Sequence, residues 1–184
     1  MKNRLENRRL ITDKWLILAF AVPLIFAGCA RKQQSSAEKY DAAKALFEST
    51  SKQFHIPSAE AKGTEKLRLQ QQALAGYRQI LNQHPDQDHW AAQALRNIGN
   101  IYAAQTNLTA AVQQYAEVEL RYQNERWEVL MAWKSAADLL WDANQRDQAE
   151  QFYAKIVERF DKPDAAQVIK MAVRGCKLRL SGAT

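Results

Sequence analysis

The sequence predicts an all-α fold of stacked helix pairs, and three observations point to it. Its 184 residues include 30 Ala and 18 Gln but only 6 Gly and 4 Pro, which favours helix interiors and leaves few turn residues for a β sandwich or barrel. A spacing of 38 residues recurs from Ala73 to Phe160. Two cysteines, Cys29 and Cys176, offer no disulfide framework or metal cluster. The chain is long enough to bury a core without either.

The elements follow in order from the N-terminus. Residues 1–14 carry Lys2, Arg4, Arg8, Arg9 and Lys14 against Glu6 and Asp13, whereas residues 15–28, WLILAFAVPLIFAG, carry no charge. A basic stretch followed by a short apolar one predicts a secretory signal peptide over 1–28. Interrupted by Pro23, it falls short of the roughly 20 residues that a membrane-spanning helix needs. The stretch closes on Ala27-Gly28-Cys29, which resembles the bacterial lipobox. That resemblance implies cleavage before Cys29 and acylation of its thiol, and acyl chains make stable anchors. Ala30, where an inner-membrane lipoprotein of enteric bacteria has Asp, implies the outer membrane with the domain facing the periplasm; an inner-membrane anchorage is the alternative. Residues 29–38 read as a flexible tether, and the helical domain is expected over 39–182.

Removing residues 1–28 takes away five basic and two acidic side chains, so the formal charge of +6 falls to +3. Nucleic acid is therefore not an expected partner, since the basicity is largely that of the leader.

Within the domain, residues 37–54 are predicted as a helix with Tyr40, Ala43, Leu46 and Phe47 on its apolar stripe, followed by a loop over His55 to Gly63. Thr64 to Gln83 is a second helix, ended by Pro85, which disfavours helical geometry at His84. Asp86 and Asp88 are placed to cap a third helix starting near His89. The 38-residue register links Ala73, Ala111 and Ala149; Tyr77, Tyr115 and Tyr153; Ile80, Val118 and Ile156; and His84, Tyr122 and Phe160. Offsets of four, three and four put each set along one helical face. A second set links Leu95 with Trp133, Ile98 with Ala136, Gly99 with Ala137 and Tyr102 with Leu140, so each unit is a pair of helices. Gly99 and Ala137 permit close approach of the paired helix, and Asn107 and Asn144 fall at turns where Asn tolerates the left-handed conformation. Trp90 and Trp127, just before each first helix, suit hydrophobic staples or packing between repeats. Ala165 to Leu180 continues the register as a lone first helix, with Met171, Gly175 and Leu178 in step.

These residues resemble the tetratricopeptide repeat, a helix pair with the pattern W-x₂-L-G-x₂-Y, then A-x₃-F, then P. Residues 92–125 carry it through Leu95, Ile98, Gly99, Tyr102, Ala111 and Tyr115; residues 130–163 carry it through Trp133, Ala136, Ala137, Leu140, Ala149, Tyr153 and Pro163. The four residues by which 38 exceeds the usual 34 are expected around Asn124 to Trp127. With the leader, the longer spacing and the second-helix runs Tyr77-Arg78-Gln79-Ile80-Leu81 and Tyr153-Ala154-Lys155-Ile156-Val157 are similar to TPR lipoproteins of Gram-negative envelopes, among them the TPR subunit of the outer-membrane barrel-assembly machinery and the TPR domain of the Tol–Pal coordinator. The resemblance implies an α-solenoid whose groove holds protein or peptide partners. Its groove positions fall here on Gln93, Arg96, Asn100 and Ala103, on Met131, Lys134, Asp138 and Trp141, and on Ile169, Ala172, Cys176 and Arg179.

Of these, Arg96, Asn100 and Lys134 suit a peptide carboxylate or acidic segment through charge-assisted hydrogen bonds, and Trp141 suits an interface anchor or packing against the last helix. Met131 and Arg179 complete the expected binding set. The basic cluster Lys170, Arg174, Lys177 and Arg179 reads as a solvated capping face, with contact to anionic lipid or an acidic partner as the alternative. His84 and His89 flank Asp86 and Asp88 without a third clustered ligand, so a solvated turn is expected rather than a metal site. Cys176 reads as a free helical cysteine. No phosphate-binding or nucleophile motif occurs, so no enzyme activity, cofactor or small-molecule substrate is expected. The function implied is a scaffold in envelope or outer-membrane assembly or secretion. The alternatives are an inner-membrane accessory protein of the translocon and an envelope enzyme or regulatory subunit working through His84, His89 or Cys176.

Overall fold

The computed structural model describes residues 35–182, and every described element is helical. The signal peptide and the lipidation site Cys29 lie outside the described residues. Helix α1 (Ser36–Thr50) starts within the stretch expected to be tether. Ser35 and Glu38 form a capping box there, in which the Ser35 hydroxyl accepts from the Glu38 N–H and the Glu38 carboxylate accepts from the Ser35 N–H.

The expected loop after α1 is instead helical. A π turn (Ser51–His55) leads directly into α2 (Ile56–Glu60). The Ile56 N–H reaches back five residues to the Ser51 carbonyl, and that widening gives room for Pro57, whose ring would otherwise collide with the carbonyl four residues before it. The chain turns only at Ala61 and Lys62, and Gly63 opens α3 (Gly63–Gln83) at φ +57.

The next four helices repeat in length. Helices α4 (Asp88–Ala104) and α6 (Arg126–Asp142) have 17 residues, α5 (Leu108–Tyr122) and α7 (Arg146–Phe160) have 15. Three-residue turns join them, which accounts for the 38-residue period. The turns place Thr106 and Asn144 in the left-handed region, at φ 59 and 61. Asn107, expected in that role, instead caps α5 by accepting the Ala110 N–H at 3.2 Å. Neither aspartate caps α4: Gln87 holds the cap position, Asp88 is the first helical residue and Asp86 pairs with Lys39 of α1 at 2.9 Å. Helix α8 (Gln167–Leu180) is the last described element.

Helix α1 packs on α3, from α2 onward each helix packs on the next in sequence, and α4 also touches α1 and α6. Two apolar clusters result. One joins Ala43, Ala73, Tyr77, Ile80, Trp90, Ile98 and Ile101; the other runs from Leu95 and Tyr115 through Trp133 and Tyr153 to Val173 and Cys176. Fully burying one Leu, Ile or Val contributes about 1.5–3 kcal/mol. Trp90 lies inside α4 and packs on Tyr40 and Phe47 of α1, with ring centroids 5.7 and 5.4 Å apart. Trp127, read as its counterpart, is exposed near the start of α6. His84 is only half-buried where Tyr122 and Phe160 fill the same register slot, because the helix is ending there with φ −133.

Gly99 and Gly175 occupy equivalent register positions in opposite surroundings. A Cβ on Gly99 would lie 2.6 Å from Tyr115 Cε1, whereas one on Gly175 would meet nothing within 4 Å. Gly99→Ala is expected to destabilise by about 1–3 kcal/mol through overpacking. Gly175→Ala should stabilise by about 0.5–1 kcal/mol through helix propensity. Urea denaturation of the two variants measures both.

Candidate functional site

A cleft of about 280 Å³ lies beside α8, lined by Lys134, Asp138, Asp142, Tyr153, Gly175, Cys176 and Arg179. Helix α6 supplies the three charged residues Lys134, Asp138 and Asp142, which follow one another at four-residue steps along one face. Lys134 Nζ donates to Asp138 Oδ2 at 2.5 Å, and the Tyr153 hydroxyl of α7 donates to Asp138 Oδ1 at 2.8 Å. Burial, and then the hydrogen bond to Asp138, push the Tyr153 phenol well above its ordinary range. Burial pushes the Cys176 thiol up to about 11, so it stays protonated and unreactive as a nucleophile near neutrality. Arg179 lies over the Trp141 ring at 4.9 Å, Arg146 lies over it at 3.6 Å, and Trp141 meets Tyr153 edge-on at 6.0 Å.

Lys134, Asp138, Cys176 and Arg179 are thus brought together, and Trp141 sits against them. The upstream residues are engaged elsewhere. Arg96 Nε donates to Glu128 Oε2 of α6 at 2.6 Å, with side chains 19% and 4% exposed. Asn100 accepts the Tyr115 hydroxyl at 2.8 Å and donates to Asn97 at 3.1 Å. Gln93 bonds His89, which also meets Glu125 at 3.3 Å. Met131 is half-buried on α6, and Ala103, Ile169 and Ala172 pack against the second cluster. Among the described residues no group of three or more His, Cys, Asp or Glu is placed to hold a metal ion. None of their helices is long and apolar enough to cross a membrane.

Tyr153, Asp142 and Glu128 fall outside the groove positions expected from the sequence. The register held a signal for the first: Tyr153 follows Asp138 by 15 residues as Tyr115 follows Asn100, and both hydroxyls bond the polar side chain so placed. The third register tyrosine, Tyr77, bonds His55 Nδ1 at 2.9 Å. Burial, and secondarily the charge of Arg96, lower the His55 pKa from its ordinary value of 6.5. The folded state therefore resists a proton that the unfolded chain accepts, and stability should fall as pH drops below about 6.5. His55→Gln is expected to show a smaller drop in Tm between neutral and mildly acidic buffer than the unsubstituted chain.

No protein-family model, curated protein or solved structure matches the chain significantly.

Proposed function

We propose that the chain is a TPR-like, lipid-anchored scaffold of the cell envelope that binds protein segments in the cleft between α6, α7 and α8. The observation that carries this reading is the convergence of Lys134, Asp138, Tyr153 and Arg179 around one open cleft at the end of a regular stack of helix pairs. Two cations and two carboxylates at the cleft suit a peptide that presents a carboxylate and backbone N–H groups together. Trp141, which meets the guanidinium groups of Arg146 and Arg179 beside the cleft, offers an aromatic anchor for the same segment. The 38-residue register, its small-residue contacts and its aromatic slots support the TPR likeness, and the leader and Cys29 support anchorage at the outer membrane facing the periplasm. The scaffold binds without catalysis and without a cofactor.

The reading is tested by capture from envelope extracts on the purified domain. Lys134→Glu with Arg179→Glu should abolish capture of a defined partner and the accompanying change in Trp141 fluorescence, while Tm stays within a few degrees. Undiminished capture overturns the cleft. Cys29→Ser should abolish palmitate labelling, and persistent labelling overturns the anchor.

A further inference from the structure

The 38-residue register compares three helices position by position. Leu95 of α4 and Trp133 of α6 correspond to Met171 of α8; Gly99 and Ala137 to Gly175; Tyr102 and Leu140 to Leu178; Ala92 and Leu130 to Val168. In α4 and α6 these positions are packed into the core cluster, and the hollow at Gly99 receives the Tyr115 ring of the helix that covers α4. In α8 the same positions are open. Met171 is 66% exposed, Val168 52% and Leu178 48%, and the hollow at Gly175 is empty out to 4 Å. The face therefore has the shape that α4 and α6 present to their covering helices, with no covering helix among the described residues.

Charge says what covers it. Helix α8 carries Lys170, Arg174, Lys177 and Arg179 and no acidic residue. Lys170 donates to the Pro163 carbonyl, Lys177 pairs with Asp161 and Arg179 lies over Trp141. Arg174 falls between Met171 and Leu178 on the open face and makes no ion pair among the described residues. A second copy of α8 would set like charges against one another, which is destabilising. An anionic bilayer would satisfy the charges and the apolar side chains, yet it has no knob for the hollow at Gly175.

We propose that α8 docks an amphipathic helix of a partner protein, with an aromatic side chain seated at Gly175 and carboxylates reaching Arg174 and its neighbours. The proposal rests on reading the domain as a binding scaffold, but Met171, Leu178 and Val168 lie outside the α6–α8 cleft, which it adjoins at Gly175.

The probe is a fluorescent synthetic peptide of residues 108–122, the helix that covers α4, carrying Arg121→Glu to take its side-chain charge from −1 to −3. Fluorescence anisotropy against the purified full-length protein should show saturable binding. Met171→Glu with Leu178→Glu should weaken it at least about tenfold, a change of about 1.4 kcal/mol. Tyr115→Ala in the peptide should do the same, and Lys134→Glu in the protein should leave binding unchanged. Both replaced apolar residues are exposed, so an unchanged Tm confirms that the variant is folded. Absence of saturable binding overturns the proposal, as does binding indifferent to Met171 and Leu178 or to the peptide tyrosine. Loss on Lys134→Glu alone assigns the peptide to the cleft and also overturns it. Co-sedimentation with phosphatidylglycerol vesicles without peptide binding makes the face a membrane contact and overturns it too. The cleft reading stands or falls separately, on capture by the Lys134 and Arg179 variant.

Discussion

Arg96→Ala is expected to destabilise the domain by about 3 kcal/mol, toward the lower end of the range for breaking a buried ion pair because Arg96 keeps some access to water. Glu128 is the reason for the size of the effect. Its side chain is 4% exposed, its Oε2 lies 2.6 Å from Arg96 Nε, and the pair ties α4 to α6 where the two helices touch. Removing the guanidinium leaves a desolvated carboxylate with no cation, and the cost is that of the stranded charge rather than of the bond itself. Replacing both residues together, Arg96→Met with Glu128→Leu, should therefore recover most of the loss, since a buried ion pair exchanged for packed apolar groups is often neutral. Urea denaturation of the two single variants and the double variant measures the coupling. Simple additivity of the single losses would show that Glu128 does not depend on Arg96. The same arithmetic explains why the cleft is tested through Lys134: reversing Arg96 would set two carboxylates together in the interior and confound binding with unfolding.

The helix pairs were legible because their packing is periodic. Ala111 and Ala149, Tyr115 and Tyr153, and Val118 and Ile156 repeat at 38 residues since each meets the same neighbours in successive pairs, and all six are buried. What escaped was set by local geometry that composition does not encode. A loop is expected over His55 to Gly63, but the π turn before Pro57 opens the backbone and lets the helix run on to Glu60. Thr106 takes the left-handed position at the turn where Asn107 had the better propensity, because Asn107 is needed one residue later as a cap.

The cleft was half legible for a related reason. Groove positions carried over from a repeat family indicate which face of a helix looks outward, so Lys134, Asp138, Cys176 and Arg179 do converge. They say nothing of side chains that bond to one another. Arg96 and Asn100 lie at equivalent positions one repeat earlier, and there Glu128 and Tyr115 engage them. Glu128 could not be singled out in the sequence: its register partner is Trp90, and a carboxylate in that slot carries no signal of burial.

Tyr153→Ala should cost about 3–5 kcal/mol, the range for deleting a buried aromatic ring. The side chain is fully enclosed, its ring meets Trp141 and its hydroxyl holds Asp138. Tyr153→Phe separates the two contributions. It keeps the ring and removes one hydrogen bond, for an expected loss of about 0.5–1.5 kcal/mol, while Asp138 retains Lys134. The hydroxyl also governs the alkaline limit. Burial pushes the phenols of Tyr77 and Tyr115 up to about 12, and Tyr153 is raised further. All three stay neutral in the folded chain at a pH where the unfolded chain ionises. Stability is thus unaffected below about pH 10 and falls as pH rises through that value, because the unfolded state then binds fewer protons than the folded one. Tyrosinate absorbance should appear for these residues only together with the loss of helical circular dichroism. Tyr153→Phe should shift that joint transition to higher pH relative to its own neutral-pH stability. A transition that ionises Tyr153 before the helices melt would mean that the phenol reaches water through the cleft, and that Asp138 rather than the core holds the ring in place.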